Sequence, residues 1–270
     1  MIDSVVWQRA LAACVLAWGA AAHSALPQAA QQDVQRRLDC YGAANPSACE
    51  ITLADSGTPF GRVHRGSALL LGVEVDAATR ARAMEDLRSA AEEGYTPAYE
   101  SLAVFLRRGA GRSESLQWRW LAAEHGHGAA AKHLGGSIDF DGTDRQSAAD
   151  RMFLSWVHCH PASFDSDGPV MSELNTARKA SPGADLTQVI AQVHAKRLNE
   201  AKARAENFLH GCVPGAYYLA SLPPDDQAWV RKTVRSRMAQ TLKNIKEAVR
   251  KFPDLELLTL PEYQDLLPPP

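Results

Sequence analysis

The chain is short of the features that announce chemistry most directly. It contains no Gly-x-Ser-x-Gly, His-Glu-x-x-His, Ser-x-x-Lys or Gly-x-Gly-x-x-Gly, which excludes the best-known hydrolase, zinc-peptidase and dinucleotide-binding signatures. Neighbouring carboxylates such as Glu92 and Glu93 make no acid–base pair, because adjacent helical residues do not face each other. No catalytic residue and no cofactor are expected. Nor is there an excess of one charge. Lys and Arg number 29 against 31 Asp and Glu, a formal net charge of −2, without the basic footprint of a nucleic-acid binder. Beyond residue 22 no apolar run is long enough to cross a bilayer as a helix, so any membrane contact is expected to be peripheral. Cysteine is scarce, five in 270 residues and never as Cys-x-x-Cys, which argues against a redox role.

What is present begins with a processing segment. Arg9 follows a short polar start, Ala10 to Ala22 is apolar, and Ala22-His23-Ser24 supplies small residues at −3 and −1 for cleavage. Residues 1–24 read as a secretory signal peptide, with an uncleaved apolar helix as the alternative. Leu11-Ala12-Ala13-Cys14 imitates a lipobox, but Arg9 lies too close to the cysteine. The expected location is periplasmic or secreted, where disulfides persist. Four cysteines remain, Cys40, Cys49, Cys159 and Cys212, and they allow three connectivities. The favoured pairs are Cys40–Cys49 and Cys159–Cys212. Cys40 ends one apolar-periodic run, Gly42 to Pro46 breaks it, and Cys49 opens another, so a hairpin of two short helices brings the first pair together.

The centre of the chain says nearly the same thing twice. Ala90-Ala91-Glu92-Glu93-Gly94 leads to Ala98, Leu102 and Ala103. Ala122-Ala123-Glu124-His125-Gly126 leads to Ala130, Leu134 and Gly135. The offset of about 32 residues is the period of helix-turn-helix repeats. Small residue and Leu stand four apart and share a helix face, and each Gly fits the position just past a helix end. Such a pair cannot bury its apolar face alone, but stacked pairs can.

The pattern small-x-x-x-Leu-small, a Gly-containing loop and then Trp118-x-x-x-Ala122-Ala123-x-x-Gly126 resembles Sel1-like repeats, relatives of the tetratricopeptide repeat. The fullest copy runs from Ala98 to Gly126. The copy from Ser67 to Gly94 has Asp86 where the family has Trp, and the copy from Ala130 loses the Ala-Ala-x-x-Gly ending. The units are shorter than is usual in the family, and the resemblance covers residues 65–160. It implies an all-α fold, a short α-solenoid, and protein–protein contact as the function. Some secreted cysteine-rich members are linked to β-lactams and others to polysaccharide export. This chain lacks both a cysteine pair in every repeat and Ser-x-x-Lys, which weakens an enzymatic or glycan-handling reading.

Around the repeats, residues 25–64 read as a disulfide-stapled helical cap, with 54–66 a loop by composition. Residues 161–184, rich in Pro, Ser, Asp and Gly, read as a linker. The region 185–251 reads as a long-helix pair, Asp185 to His210 and Pro224 to Lys251, and 252–270 as an extended tail. The last helix carries a basic surface with Arg231, Lys232, Arg235, Lys243 and Lys246, either a solvated face or a polyanion site. His125, His127 and His133, and His158, Cys159 and His160 with His210 and Cys212, are nitrogen- and sulfur-rich enough for zinc. The first group flanks a turn and the second holds the disulfide candidates, so no metal is expected. Tyr95, Tyr99 and Trp120 are either rings packed against an adjacent unit or candidate aromatic anchors for a partner. The leading expectation is a non-catalytic envelope scaffold that binds a protein or peptide in the repeat groove.

Overall fold

A computed structural model describes residues 28–53, 57–71, 75–107, 111–137, 144–160, 163–164, 167–206, 219–253 and 255. The signal-peptide segment, Cys212 and the tail beyond 255 lie outside them. The described residues form an all-α structure without a strand. In chain order the principal helices are α1 (Gln28–Tyr41), α2 (Pro46–Leu53), α3 (Pro59–Leu71), α4 (Ala77–Glu92), α5 (Pro97–Leu106), α6 (Arg112–Glu124), α7 (Gly128–Ser137), α8 (Arg145–Cys159), α9 (Asp167–Ala180), α10 (Leu186–Glu206) and α11 (Pro224–Lys251). No described helix is long and apolar enough to cross a membrane.

From α1 to α8 each helix packs on the next. The pairs α3–α4 and α5–α6 end in the same turn, atom for atom. Gly94 (φ +87°) and Gly126 (φ +90°) take the left-handed conformation. Gly94 N–H donates to Ala91 O and Tyr95 N–H to Ala90 O; Gly126 N–H donates to Ala123 O and His127 N–H to Ala122 O. Both are Schellman closures, in which the residues after the helix return to its last carbonyls. Ala90, Ala98, Ala122, Ala123 and Ala130 are fully buried beside Leu87, Leu102 and Leu134, so small residues set close helix spacing and leucines fill between them.

The third pair, α7–α8, forms although its sequence lacks the turn signature. After α8 the chain hooks back instead. Phe164 N–H donates to Gly126 O, and Gly128 N–H donates to Phe164 O, pinning the buried Phe164 ring against the α6–α7 turn.

At the N-terminal end Cys40 and Cys49 lie at disulfide distance, with Cα atoms 5.3 Å apart. Cys159 is also disulfide-bonded. Two segments differ from the sequence reading. The loop expected over 54–66 is already helical from Pro59, because Thr58 caps the start by accepting from Gly61 N–H and proline suits a first turn. The expected linker 161–184 contains α9. Its Val170, Met171 and Leu174 are buried at helical spacing, and this apolar stripe outweighs the helix-breaking composition around it.

The two ends of the fold meet. Helices α9 and α10 pack on α1, and α10 also touches α8. Helix α11 then runs back across the turn edge of the stack. Near its start, Asp226 pairs with Arg145 (3.5 Å) and Trp229 lies under the same guanidinium (4.6 Å). At its centre Arg237 bonds Asp150 (2.6 Å) and covers the Phe153 ring (4.1 Å). Further on, Asn244 donates to Glu124 O at 2.9 Å. Lys251 donates to Glu93 O, and Phe252 meets Tyr95 edge-on at 5.3 Å. The buried stripe Val230, Val234, Met238, Ile245 and Ala248 fixes its rotation.

Candidate functional site

A second face is built by α3, α5 and α7. Ser67 and Ser101 hydroxyls meet at 3.5 Å across α3 and α5. Glu100 of α5 and His133 of α7 meet at 3.3 Å. Behind them Arg119 of α6 reaches the second Glu100 oxygen at 3.7 Å. Burial is graded through this group: the His133 side chain is 53% exposed, Glu100 10% and Arg119 4%. The Glu100–Arg119 contact is an ion pair without a hydrogen bond, since Glu100 Oε2 and Arg119 Nε both lack a partner within bonding distance. Such a pair persists in a protein interior because separating two buried charges costs more than holding them together loosely.

One unit earlier the same problem has a tighter solution. Asp86 stands where the other pair has Trp118, and Arg65 grips it with two bonds of 2.8 and 2.6 Å.

The surface around the Glu100 group is open. Val104, one turn beyond Ser101, is 41% exposed, and Leu71, one turn beyond Ser67, is 71% exposed. A Cβ built on Gly135 or Gly136 would meet nothing, so a stretch of helix backbone stands bare one turn from His133. The face offers apolar side chains, one imidazole and approachable backbone. Those are the elements with which a polypeptide is gripped.

The aromatic candidates sit elsewhere. Tyr95 is 1% exposed and capped by Phe252. Tyr99 is buried between Trp118 (5.8 Å) and His125 (5.3 Å), and this burial pushes its phenol pKa up. Trp120 is half-buried against the core with Arg237 over its ring at 5.6 Å. Tyr95 and Trp120 thus meet α11 or its end, and Tyr99 packs inside the stack against α6 and its turn. Trp118 also donates to Glu114 at 3.2 Å; with Arg88 as the stronger cause, this holds the Glu114 carboxyl below its ordinary pKa.

The histidines part company. His125 turns to Tyr99, His127 packs buried beside Phe164, and His133 meets Glu100. Among the described residues no three His, Cys, Asp or Glu side chains are grouped to hold a metal. Arg231, Lys232, Arg235, Lys243 and Lys246 are all exposed on the outer side of α11.

Sequence reasoning missed Glu100 and Arg119. The signal was available. Helix α5 is apolar or small on almost every side, and a charge inside such a helix must find a buried partner. No family model matches the chain, and no curated protein or solved structure matches it.

Proposed function

We propose that the protein is a non-catalytic scaffold whose α3–α8 stack holds a protein or peptide partner on the face of α3, α5 and α7. The observation that carries this reading is the division of the stack into two sides. One side already seats a polypeptide helix, α11, through an apolar stripe and the bridges of Arg237 to Asp150 and of Arg145 to Asp226. The other side keeps Leu71, Val104 and the Gly135–Gly136 backbone exposed. Stacked helix pairs present extended surfaces of this kind, and the Sel1-like resemblance points the same way. The secretory-type N-terminus and the Cys40–Cys49 pair fit a periplasmic or secreted scaffold.

A photo-crosslinking residue placed at Val104, at His133 or, as a control, at Arg82 on exposed α4 tests it in cells. The expected result is one polypeptide adduct of the same mass from Val104 and His133. It should be absent from Arg82 and abolished by Gly136→Trp. Adducts that ignore Gly136→Trp, or none from either position, overturn the reading.

A further inference from the structure

A second surface stands apart from that face. Helix α11 carries eight bases against three acids, in a chain whose formal net charge is −2. The helix is therefore net +5 and the rest of the chain net −7, with 21 bases against 28 acids. At 100° per residue, Arg231, Lys232, Arg235, Lys243, Lys246 and Arg250 fall within an arc of about 120° and extend for about 28 Å. All six are exposed, on the flank beside the buried stripe Val230, Val234, Met238, Ile245 and Ala248, whose centre lies about 120° away around the helix.

A merely solvated helix face intersperses acids at i+4 spacing. Here Glu247 is the one acid after Asp226. It reaches Lys243 at 3.9 Å. Arg231, Lys232, Lys246 and Arg250 have no ion pair with any described residue. Like charges held in a row raise the local potential and favour an anionic partner.

The residues between the cations narrow the partner further. Within that arc the exposed residues between the cations are Ala228 and Ala239, while Leu242 is buried there and Val249 is half-buried against the core. Insertion into a bilayer interface needs an apolar face, and the apolar face of α11 is already spent in the core, which leaves a membrane with surface charge attraction alone. What remains is an elongated band of cations along the helix, matched by a linear chain with repeating acidic groups. Arginine forks bind carboxylate or sulfate in two-point contacts. Together with the secretory-type N-terminus, these features point to a glycan. We infer that the outer face of α11 docks a linear acidic polysaccharide.

Titration calorimetry of the full chain tests this with polygalacturonate, neutral dextran, and vesicles of phosphatidylglycerol and phosphatidylcholine. The expected result is binding to polygalacturonate alone, weakening steeply as salt rises toward about 0.15 M. The combined variant R231Q/K232Q/K246Q/R250Q should lose at least about tenfold in affinity with its melting temperature kept. The variant R80Q/R82Q/K132Q/K179Q removes the same charge from exposed positions elsewhere and should bind as the wild type does. Arg231→Lys with Arg250→Lys should retain binding. Absence of polygalacturonate binding overturns the inference, as does equal loss in both neutralised variants or a preference for the vesicles.

Discussion

At Gly126 a methyl group has nowhere to go. Its φ is +90°, and a Cβ there would stand 2.5 Å from Ile245 Cδ1 and 2.6 Å from Cγ1. Gly94 occupies the same place in its own turn, with φ +87°, but its Cβ would meet only the Lys251 ammonium, at an ordinary contact distance of 3.7 Å. The two glycines thus separate backbone strain from packing. Gly94→Ala carries only the left-handed penalty, about 1–2 kcal/mol. Gly126→Ala adds an overpacking cost of about 1–3 kcal/mol against α11. Chemical denaturation should rank them in that order, and Ile245→Ala should remove the excess at Gly126 but not the cost at Gly94. Equal costs in the wild-type background would mean that α11 does not rest on this turn. The glycines themselves were legible in the sequence, since the repeated Ala-Ala-x-x-Gly announces a helix end. The burden on Gly126 was not, because Ile245 lies far along the chain. Tyr95 is a similar case: the sequence leaves it either a packing ring or an exposed anchor, and Phe252, remote in sequence, covers it in the core.

Among the helices, how well each was legible follows from where its stabilisation comes from. Helix α11 declares itself locally. Pro224 opens it, Asp225 and Asp226 follow in the first turn, and Arg250 and Lys251 close it, as the helix dipole favours. Helix α9 does not, because Asp167, Gly168 and Pro169 dilute its first turn and its support is the packing of Val170, Met171 and Leu174. Helix α8 lies between these extremes. Its start depends on Asp144, whose carboxylate accepts from Gln146 and Ser147 N–H at 2.8 and 3.0 Å and from the Ser147 hydroxyl at 2.9 Å. The Ser147 backbone bond, followed by its hydroxyl, holds the Asp144 pKa below the ordinary 3.8. A carboxyl depressed in the folded state contributes stability that is present above its unfolded value and lost as pH falls through the folded one. Asp144→Ala should therefore lower the melting temperature at neutral pH, and the gap to wild type should narrow on acidification below 3.8. A gap that is constant across that range would show that the cap acts through shape and not through charge.

For the molecule as a whole, the question is whether α11 is a strap that can lift or a member of the core. Its contacts reach α8 at Asp150, the α6–α7 turn at Glu124 and Gly126, and the α4–α5 turn at Glu93 and Tyr95. Meanwhile α9 and α10 tie α8 back to α1, where Arg178 meets Asp39 at 2.8 Å across a largely exposed pair of small energetic weight. Apolar burial therefore decides the matter. Met238 sits at the middle of α11 and is fully buried, so Met238→Ala should destabilise by about 2–5 kcal/mol. If α11 and the stack unfold together, native-state hydrogen exchange must quicken by one common factor in α11, in the buried turn of Ala90 and Ala91, and in that of Ala122 and Ala123. That is the expected outcome, because each turn keeps part of its cover on α11. Quickening confined to α11 would instead make it a separable lid over the aromatic side of the stack. Tyr95, Tyr99 and Trp120 would then regain a route to a partner, and the binding face would have to be sought there.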